Sequence, residues 1–167
     1  VTTFVVNDNP RVVSCGIDGT VRVWDAIAGG NASVVLNHSA AVVGVTTFVD
    51  NNAPRVVSAG RDRTVRVWDP IAGEPLDELS SNKNFVKLAT FVVNDDPRVV
   101  SYSVDGTVHI WDPLAGGDAL VVLRGHTDGV FCVATFVNDA VRVVSCGPDE
   151  TVCIWDAIKG GDALQVL

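Results

Sequence analysis

Residues able to do chemistry return at fixed distances along this chain. His126, Ser145 and Asp149 lie close in sequence, and His38, Ser58 and Asp62 repeat the set. A hydroxyl, an imidazole and a carboxylate are the parts of a nucleophilic triad, in which the imidazole takes the hydroxyl proton and the carboxylate orients the ring. The frame recurs, however. Ser14, Asp18 and Trp24, and again Ser101, Asp105 and Trp111, keep its spacing without the histidine, and Trp68 and Trp155 complete the other two copies. A trio present once per repeat points to structure rather than catalysis, and a reactive serine also needs an oxyanion hole beside it. Asp149-Glu150 is a carboxylate pair, but it sits where a tight turn is expected. The cysteines, Cys15, Cys132, Cys146 and Cys153, form no CxxC pair. They are expected to be small buried hydrophobes rather than zinc ligands, and they favour a reducing, cytoplasmic setting. No glycine-rich phosphate loop, His-Glu-x-x-His or Gly-x-Ser-x-Gly stretch is present, so neither a metal nor a cofactor is expected.

The elements that hold these residues are set by a repeat. Trp24, Trp68, Trp111 and Trp155, each followed by Asp, recur at a period of about 44 residues, which marks a repeat architecture. Arg-Val-Val-Ser begins at Arg11, Arg55, Arg98 and Arg142, and Thr-Phe-Val begins at residues 3, 47, 90 and 135. Runs rich in Val, Ile, Thr and Phe alternate with Asn, Asp, Gly and Pro, the grammar of short strands and turns. In the second repeat the pattern predicts strands at about 41–49, 55–59, 64–68 and 75–79. Asp-Gly at 18–19 and 105–106 suits hairpins. Pro10, Pro54 and Pro97 are expected just before the second strand. That strand is nearly all apolar, as befits a sheet covered on both faces.

These residues resemble the WD-repeat family over the whole chain. The last repeat fits best, with Gly125-His126, Ser145, Asp149 and Trp155-Asp156. The second has Asn37-His38, Ser58, Asp62 and Trp68-Asp69, whereas Ser80-Ser81 stands where the third repeat would carry Gly-His. The resemblance implies an all-β propeller of four blades with four antiparallel strands each, at about 1–36, 37–79, 80–123 and 124–167. It implies that His, Ser, Asp and Trp hydrogen-bond in series within a blade. WD-repeat propellers usually close with seven blades. Four are therefore expected to be an excerpt of a longer chain or half of an eight-bladed ring closed by a homodimer. The implied function is a protein-interaction scaffold, not an enzyme, within a larger multidomain protein. The alternatives are blades that merely complete a larger ring, or a propeller enzyme domain.

By position, the family's binding face would present Ile17, Arg61, Val104 and Pro148 before each turn Asp, and Ala41, Val43, Asn84, Val86, Gly129 and Phe131 early in the first strands. The expected partner is a protein or peptide. Only Phe131 is placed for an aromatic cage and only Arg61 for a phosphate. The recurring Arg11, Arg55, Arg98 and Arg142 are expected at the opposite end, in surface ion pairs with loops holding Asp8, Asp50, Asp95 and Asp139. His109 takes a strand place held by Arg22 and Arg66, so it is expected to be exposed. A net charge of −8 and a pI near 4.6 disfavour nucleic acid and anionic membrane as partners. With mean hydropathy +0.30 the chain is too apolar for disorder, yet no run approaches a membrane helix.

Overall fold

The computed structural model describes residues 1–80 and 85–167. Its strands are β1 (Thr2–Val6), β2 (Asn9–Cys15), β3 (Thr20–Asp25), β4 (Val34–Asn37), β5 (Val42–Asp50), β6 (Ala53–Gly60), β7 (Thr64–Asp69) and β8 (Glu74–Ser80). There follow β9 (Phe85–Val93), β10 (Asp96–Ser103), β11 (Thr107–Trp111), β12 (Val121–Arg124), β13 (Cys132–Val137), β14 (Val141–Cys146), β15 (Val152–Asp156) and β16 (Gln165–Val166). They form four antiparallel meanders, each built from four consecutive strands. Among the described residues no helix is long and apolar enough to cross a membrane.

Turn chemistry sets the register. Val6 pairs Asn9, Asp50 pairs Ala53 and Val93 pairs Asp96, so each first hairpin closes over two residues. Those residues, Asn7-Asp8, Asn51-Asn52 and Asn94-Asp95, all have positive φ. This is the turn whose twist matches a right-handed hairpin, and Asn and Asp tolerate it. Pairing therefore starts at once, and the second strand begins earlier than the composition suggested. Pro10, Pro54 and Pro97 are its second residues, not its lead-in. In the second hairpin the residue after Asp is left-handed: Gly19 and Gly106 in two sheets, but Arg63 and Glu150 in the others.

A sheet apolar on both faces must be covered twice, and neighbouring sheets supply the cover. Phe4, Val13, Val21, Val23 and Leu36 of the first sheet pack with Val56 and Trp68 of the second. Phe48, Val57, Val65, Val67 and Leu79 receive Val99 and Trp111 in the same way. Phe91, Val100, Val108, Ile110 and Leu123 receive Val143 and Trp155. Each joint thus seats a tryptophan of one sheet on the sheet before it. The innermost strands are laced as well. Thr47 Oγ1 donates to the Thr3 carbonyl at 3.1 Å, and Thr90 Oγ1 to the Thr47 carbonyl at 3.2 Å.

The four sheets do not close a ring. Phe136 is 42% exposed on the last sheet, where Phe4, Phe48 and Phe91 are each 8% exposed inside a joint. Leu167, which exchanges backbone hydrogen bonds with Val152, is exposed where Leu36, Leu79 and Leu123 are buried. Trp24 is half-buried, unlike the other three tryptophans. Replacing a buried aromatic by alanine removes its transfer energy and leaves a cavity. Trp111→Ala is expected to lower stability by about 3–5 kcal/mol, and Trp24→Ala by distinctly less. Urea unfolding of the two variants checks the order.

Candidate functional site

In the second and fourth sheets the recurring polar residues form one chain of hydrogen bonds. Trp155 Nε1 donates to Ser145 Oγ at 2.8 Å, Ser145 Oγ meets His126 Nε2 at 2.7 Å, and His126 Nδ1 meets Asp149 at 2.8 Å. The second sheet repeats it: Trp68 to Ser58 at 2.7 Å, Ser58 to His38 at 2.6 Å, and His38 to Asp62 at 3.0 Å. The partners fix the tautomer. A carboxylate only accepts, so the imidazole carries its proton on Nδ1. Its Nε2 then accepts from the serine hydroxyl, which accepts from the indole N–H. Every donor has an acceptor, and the serines are buried. A hydroxyl already engaged on both sides and shut away from water has no room to attack a substrate carbonyl. The trio has the connectivity of a hydrolase triad and the environment of a core bracket.

The carboxylates also close their turns. Asp62 Oδ1 accepts from the Thr64 amide and hydroxyl, and Asp149 Oδ1 from those of Thr151. On the other oxygen, the amides of Ser39 and Thr127 donate to Asp62 and Asp149. Burial opposes the charge on Asp62 most strongly. Hydrogen bonds from Thr64 and His38 outweigh it and hold the carboxyl at about 2. Asp149 is likewise held at about 2 against burial, by His126, Thr151 and Thr127. His38 moves below its usual 6.5 because burial outweighs the attraction of Asp62.

The first and third sheets show what remains without that histidine. Trp24 and Trp111 still donate to Ser14 and Ser101, each at 2.8 Å. Asp18 is held at about 2, first by the Thr20 hydroxyl and then by the Thr20 amide and Arg22. In the third sheet His109 is buried, contrary to the exposure expected from its strand place. Its ring stacks on Trp111 at 5.6 Å and 15°, and its Nε2 lies 2.9 Å from Thr107 Oγ1. That hydroxyl gives its own proton to Asp105 at 2.6 Å, so His109 donates to it. A shorter, flatter side chain than arginine can fold inward on the indole.

The opposite end holds a second repeated bracket that sequence reasoning mispaired. One oxygen of Asp69 accepts from the amides of Ile71 and Ala72, capping the third turn of its sheet, and Asp25, Asp112 and Asp156 do the same. The other oxygen meets the arginine that opens the second strand: Arg11–Asp25, Arg55–Asp69 at 3.4 Å, Arg98–Asp112 at 3.6 Å and Arg142–Asp156 at 3.2 Å. The arginines were expected to pair with Asp8, Asp50, Asp95 and Asp139. Asp50 and Asp139 do approach, at 4.0 and 3.8 Å, and Asp96 lies 3.6 Å from Arg98, but the common partner is the Asp of Trp-Asp. Strand register puts Arg and Asp opposite each other, as in Arg11↔Asp25 and Arg142↔Asp156. The Ala28 and Ile27 amides, ahead of Arg11, hold Asp25 at about 2.

Because His38 reaches Asp62, the connections between sheets and the second hairpins share one end of the molecule. Ile17, Arg61, Val104 and Pro148 are exposed there, Ile17 at 92%. Phe131 stands out at 62% exposure. Ala41 and Val43 are half-buried, Val43 against the second joint. Gly129 is buried, and a Cβ on it would lie 3.1 Å from the Val104 backbone, so it offers packing rather than a contact. Asn84 lies outside the described residues, and so does the side chain of Val86, whose backbone runs in β9. The other end is more apolar than the sequence suggested. Val5, Val49, Val92 and Val137 near the first hairpins, and Ile27, Ile71, Leu114 and Ile158 in the third turns, are all exposed. Among the described residues no group of three His, Cys, Asp or Glu is placed to hold a metal ion. Cys132 is exposed, Cys15 and Cys146 are half-buried, and only Cys153 is the buried hydrophobe expected of all four.

Comparison with known proteins adds an independent line. The family model described as WD domain, G-beta repeat matches residues 1–25, 31–69, 73–112 and 117–156. No curated protein matches the sequence. Among solved structures, the computationally designed Ika8 protein superposes with a TM-score of 0.77 at 32% identity, over 99% of this chain and 48% of its own. The WD40 β-propeller domain of Doa1 superposes with a TM-score of 0.74 at 28% identity, over 99% of this chain and 52% of its own. The chain therefore spans about half the length of the structures it resembles.

Removing one link of the bracket strands its neighbours. Ser145→Ala leaves the Trp155 N–H and His126 Nε2 buried without their partner, and is expected to cost about 1–3 kcal/mol. Thermal unfolding would then fall by roughly 2–4 °C for each of those kcal/mol. Ser14→Ala, which strands only the half-buried Trp24, should cost less. Acid acts on the same bracket. Since His38 binds its proton less readily when folded, the unfolded chain takes up more protons below pH 6.5, and stability falls as pH drops through that range. Asp62 stays ionised throughout, its contribution being lost only between its usual 3.8 and about 2. The unfolding midpoint should therefore drop from pH 7.5 to 5.5, and His38→Gln should flatten the drop. An unchanged slope in that variant would exclude His38 as its source.

Proposed function

The chain belongs to the WD-repeat family, and from that membership we propose that it is a scaffold binding a peptide or protein segment on the end that carries Ile17, Arg61, Val104, Pro148 and Phe131. WD40 propellers are in general protein-interaction scaffolds. The observation carrying the finer reading is that three large apolar side chains, Ile17, Val104 and Phe131, stand exposed on loops while the framework beneath them is bracketed by buried hydrogen bonds. Exposed aromatic and aliphatic groups on a rigid frame bind with little ordering cost. Arg61 adds the one cation among the exposed turn residues before Asp, which favours a segment carrying an acidic group. The chain as a whole is acidic, which works against a polyanion such as nucleic acid. The brackets are structural in this reading, and the chain catalyses nothing itself.

The half-covered joints at Trp24 and Phe136 favour further blades as neighbours, supplied by a larger propeller or by a second copy completing eight. The chain's span, about half that of the matched structures, favours the larger propeller. A second reading places the partner on the opposite end, favoured by the exposed Val5, Val49, Val92, Val137, Ile27, Ile71, Leu114 and Ile158. Peptides selected against the chain from a displayed library separate the two. Ile17→Asp and Phe131→Asp should each weaken the selected peptides at least about tenfold, with Val49→Asp and Ile71→Asp without effect. The reverse pattern would move the site to the other end.

A further inference from the structure

Cys132 and Cys146 are direct partners in the antiparallel ladder of β13 and β14. Residues directly opposite in such a ladder project from the same face, with Cα atoms about 4.5–5.5 Å apart. That separation lies within the range a disulfide spans. Both are free thiols, one exposed and one half-buried. A third residue reports where they point. Tyr102 is buried in the joint between the third and fourth sheets. Its hydroxyl is pushed up to about 12, first by burial and then by the charges of Cys132 and Cys146. Both sulfurs therefore face the tyrosine from one side. The other two cysteines lack this arrangement. Cys153 is buried opposite Ser145, and burial pushes the Cys15 thiol up and away from the reactive thiolate.

We propose that Cys132 and Cys146 form a dithiol modification site that closes to a reversible cross-strand disulfide on reaction with a low-molecular-weight disulfide. The exposed Cys132 thiolate attacks one sulfur of the small disulfide, forming a mixed disulfide and expelling one thiolate. The Cys146 thiolate then attacks the Cys132 sulfur, forms the bond across the ladder and expels the second. The protein pair gives up two electrons, the small disulfide gains them, and the two protons end on the two released thiols. The bond ties the first residue of β13 to the last of β14, next to Phe131.

The test uses the intact chain and glutathione disulfide, with alkylation to stop exchange, intact mass measurement, and proteolysis with tandem fragmentation. The expected product is about 2 Da lighter, carries no glutathione, links Cys132 to Cys146 and reverts on reduction. The link should also raise the unfolding temperature of the chain. Cys15→Ser should close as the wild type does, whereas Cys132→Ser and Cys146→Ser should not. Each of those two is a conservative change, and the wild-type peptide map stands even if one folds poorly. A persistent glutathione adduct on Cys132, a Cys132 link between two chains, a link through Cys153, or four cysteines still open to alkylation would each overturn the proposal.

Discussion

The indole N–H of each strand tryptophan must find an acceptor while its ring is pressed against the preceding sheet. All four find a serine hydroxyl in their own sheet, at 2.7 to 2.8 Å. The remaining architecture follows from that double demand. A ring buried without its bond would strand a donor in a dry joint, and a bond made without burial would leave the joint open. The serine holds the ring at the angle that fills the neighbour's hollow among Phe, Val and Leu side chains. Where a histidine is available, the serine's own proton passes the link on to a carboxylate that closes the next hairpin. Packing between sheets and geometry within a sheet are thus joined through one oxygen atom.

Each unit is also clamped at its far end by a different chemistry, an arginine on the Asp that follows the tryptophan. The two brackets have opposite electrostatic character. The first is nearly dry and works through neutral donors on a single carboxylate. The second lies partly in solvent, where two backbone amides hold one oxygen of the carboxylate and an arginine the other. Between them the strands have little freedom to slide, because a shift of one residue would break both and turn the apolar face outward. The loops can therefore differ from blade to blade, as Ile17, Arg61, Val104 and Pro148 do, over a frame that stays the same.

Much of this was legible in the sequence because it is local. The spacing of Trp-Asp, the Asp that closes a hairpin and the alternation of Phe with Thr depend on neighbours within one repeat. Errors arose where the answer depends on register or on the next sheet. Arg98 looks as near to Asp95 as to Asp112 along the chain, and only antiparallel pairing puts the latter across from it. His109 reads as a surface residue until Trp111 offers a flat face to stack on. Gly129 reads as loop surface until the Val104 backbone closes over it. Cys132 occupies a strand yet stays open to solvent. None of these carries a periodic signal, since each is a contact with a residue distant in sequence.

The seam of threonine bonds along the innermost strands gives the molecule a mechanical sense. It lies nearest the axis and consists of single hydroxyl-to-carbonyl contacts, Thr47 to Thr3 and Thr90 to Thr47. The tryptophans sit two strands farther out, where the grip between sheets is strongest. A force spreading two blades works like a hand opening a fan: the threonine line is the pivot and the indole is clasped far along the lever. Resistance therefore grows with radius. The slender inner seam can guide a small hinge without carrying the load, which lets the loop face breathe while the rim holds the blades in step.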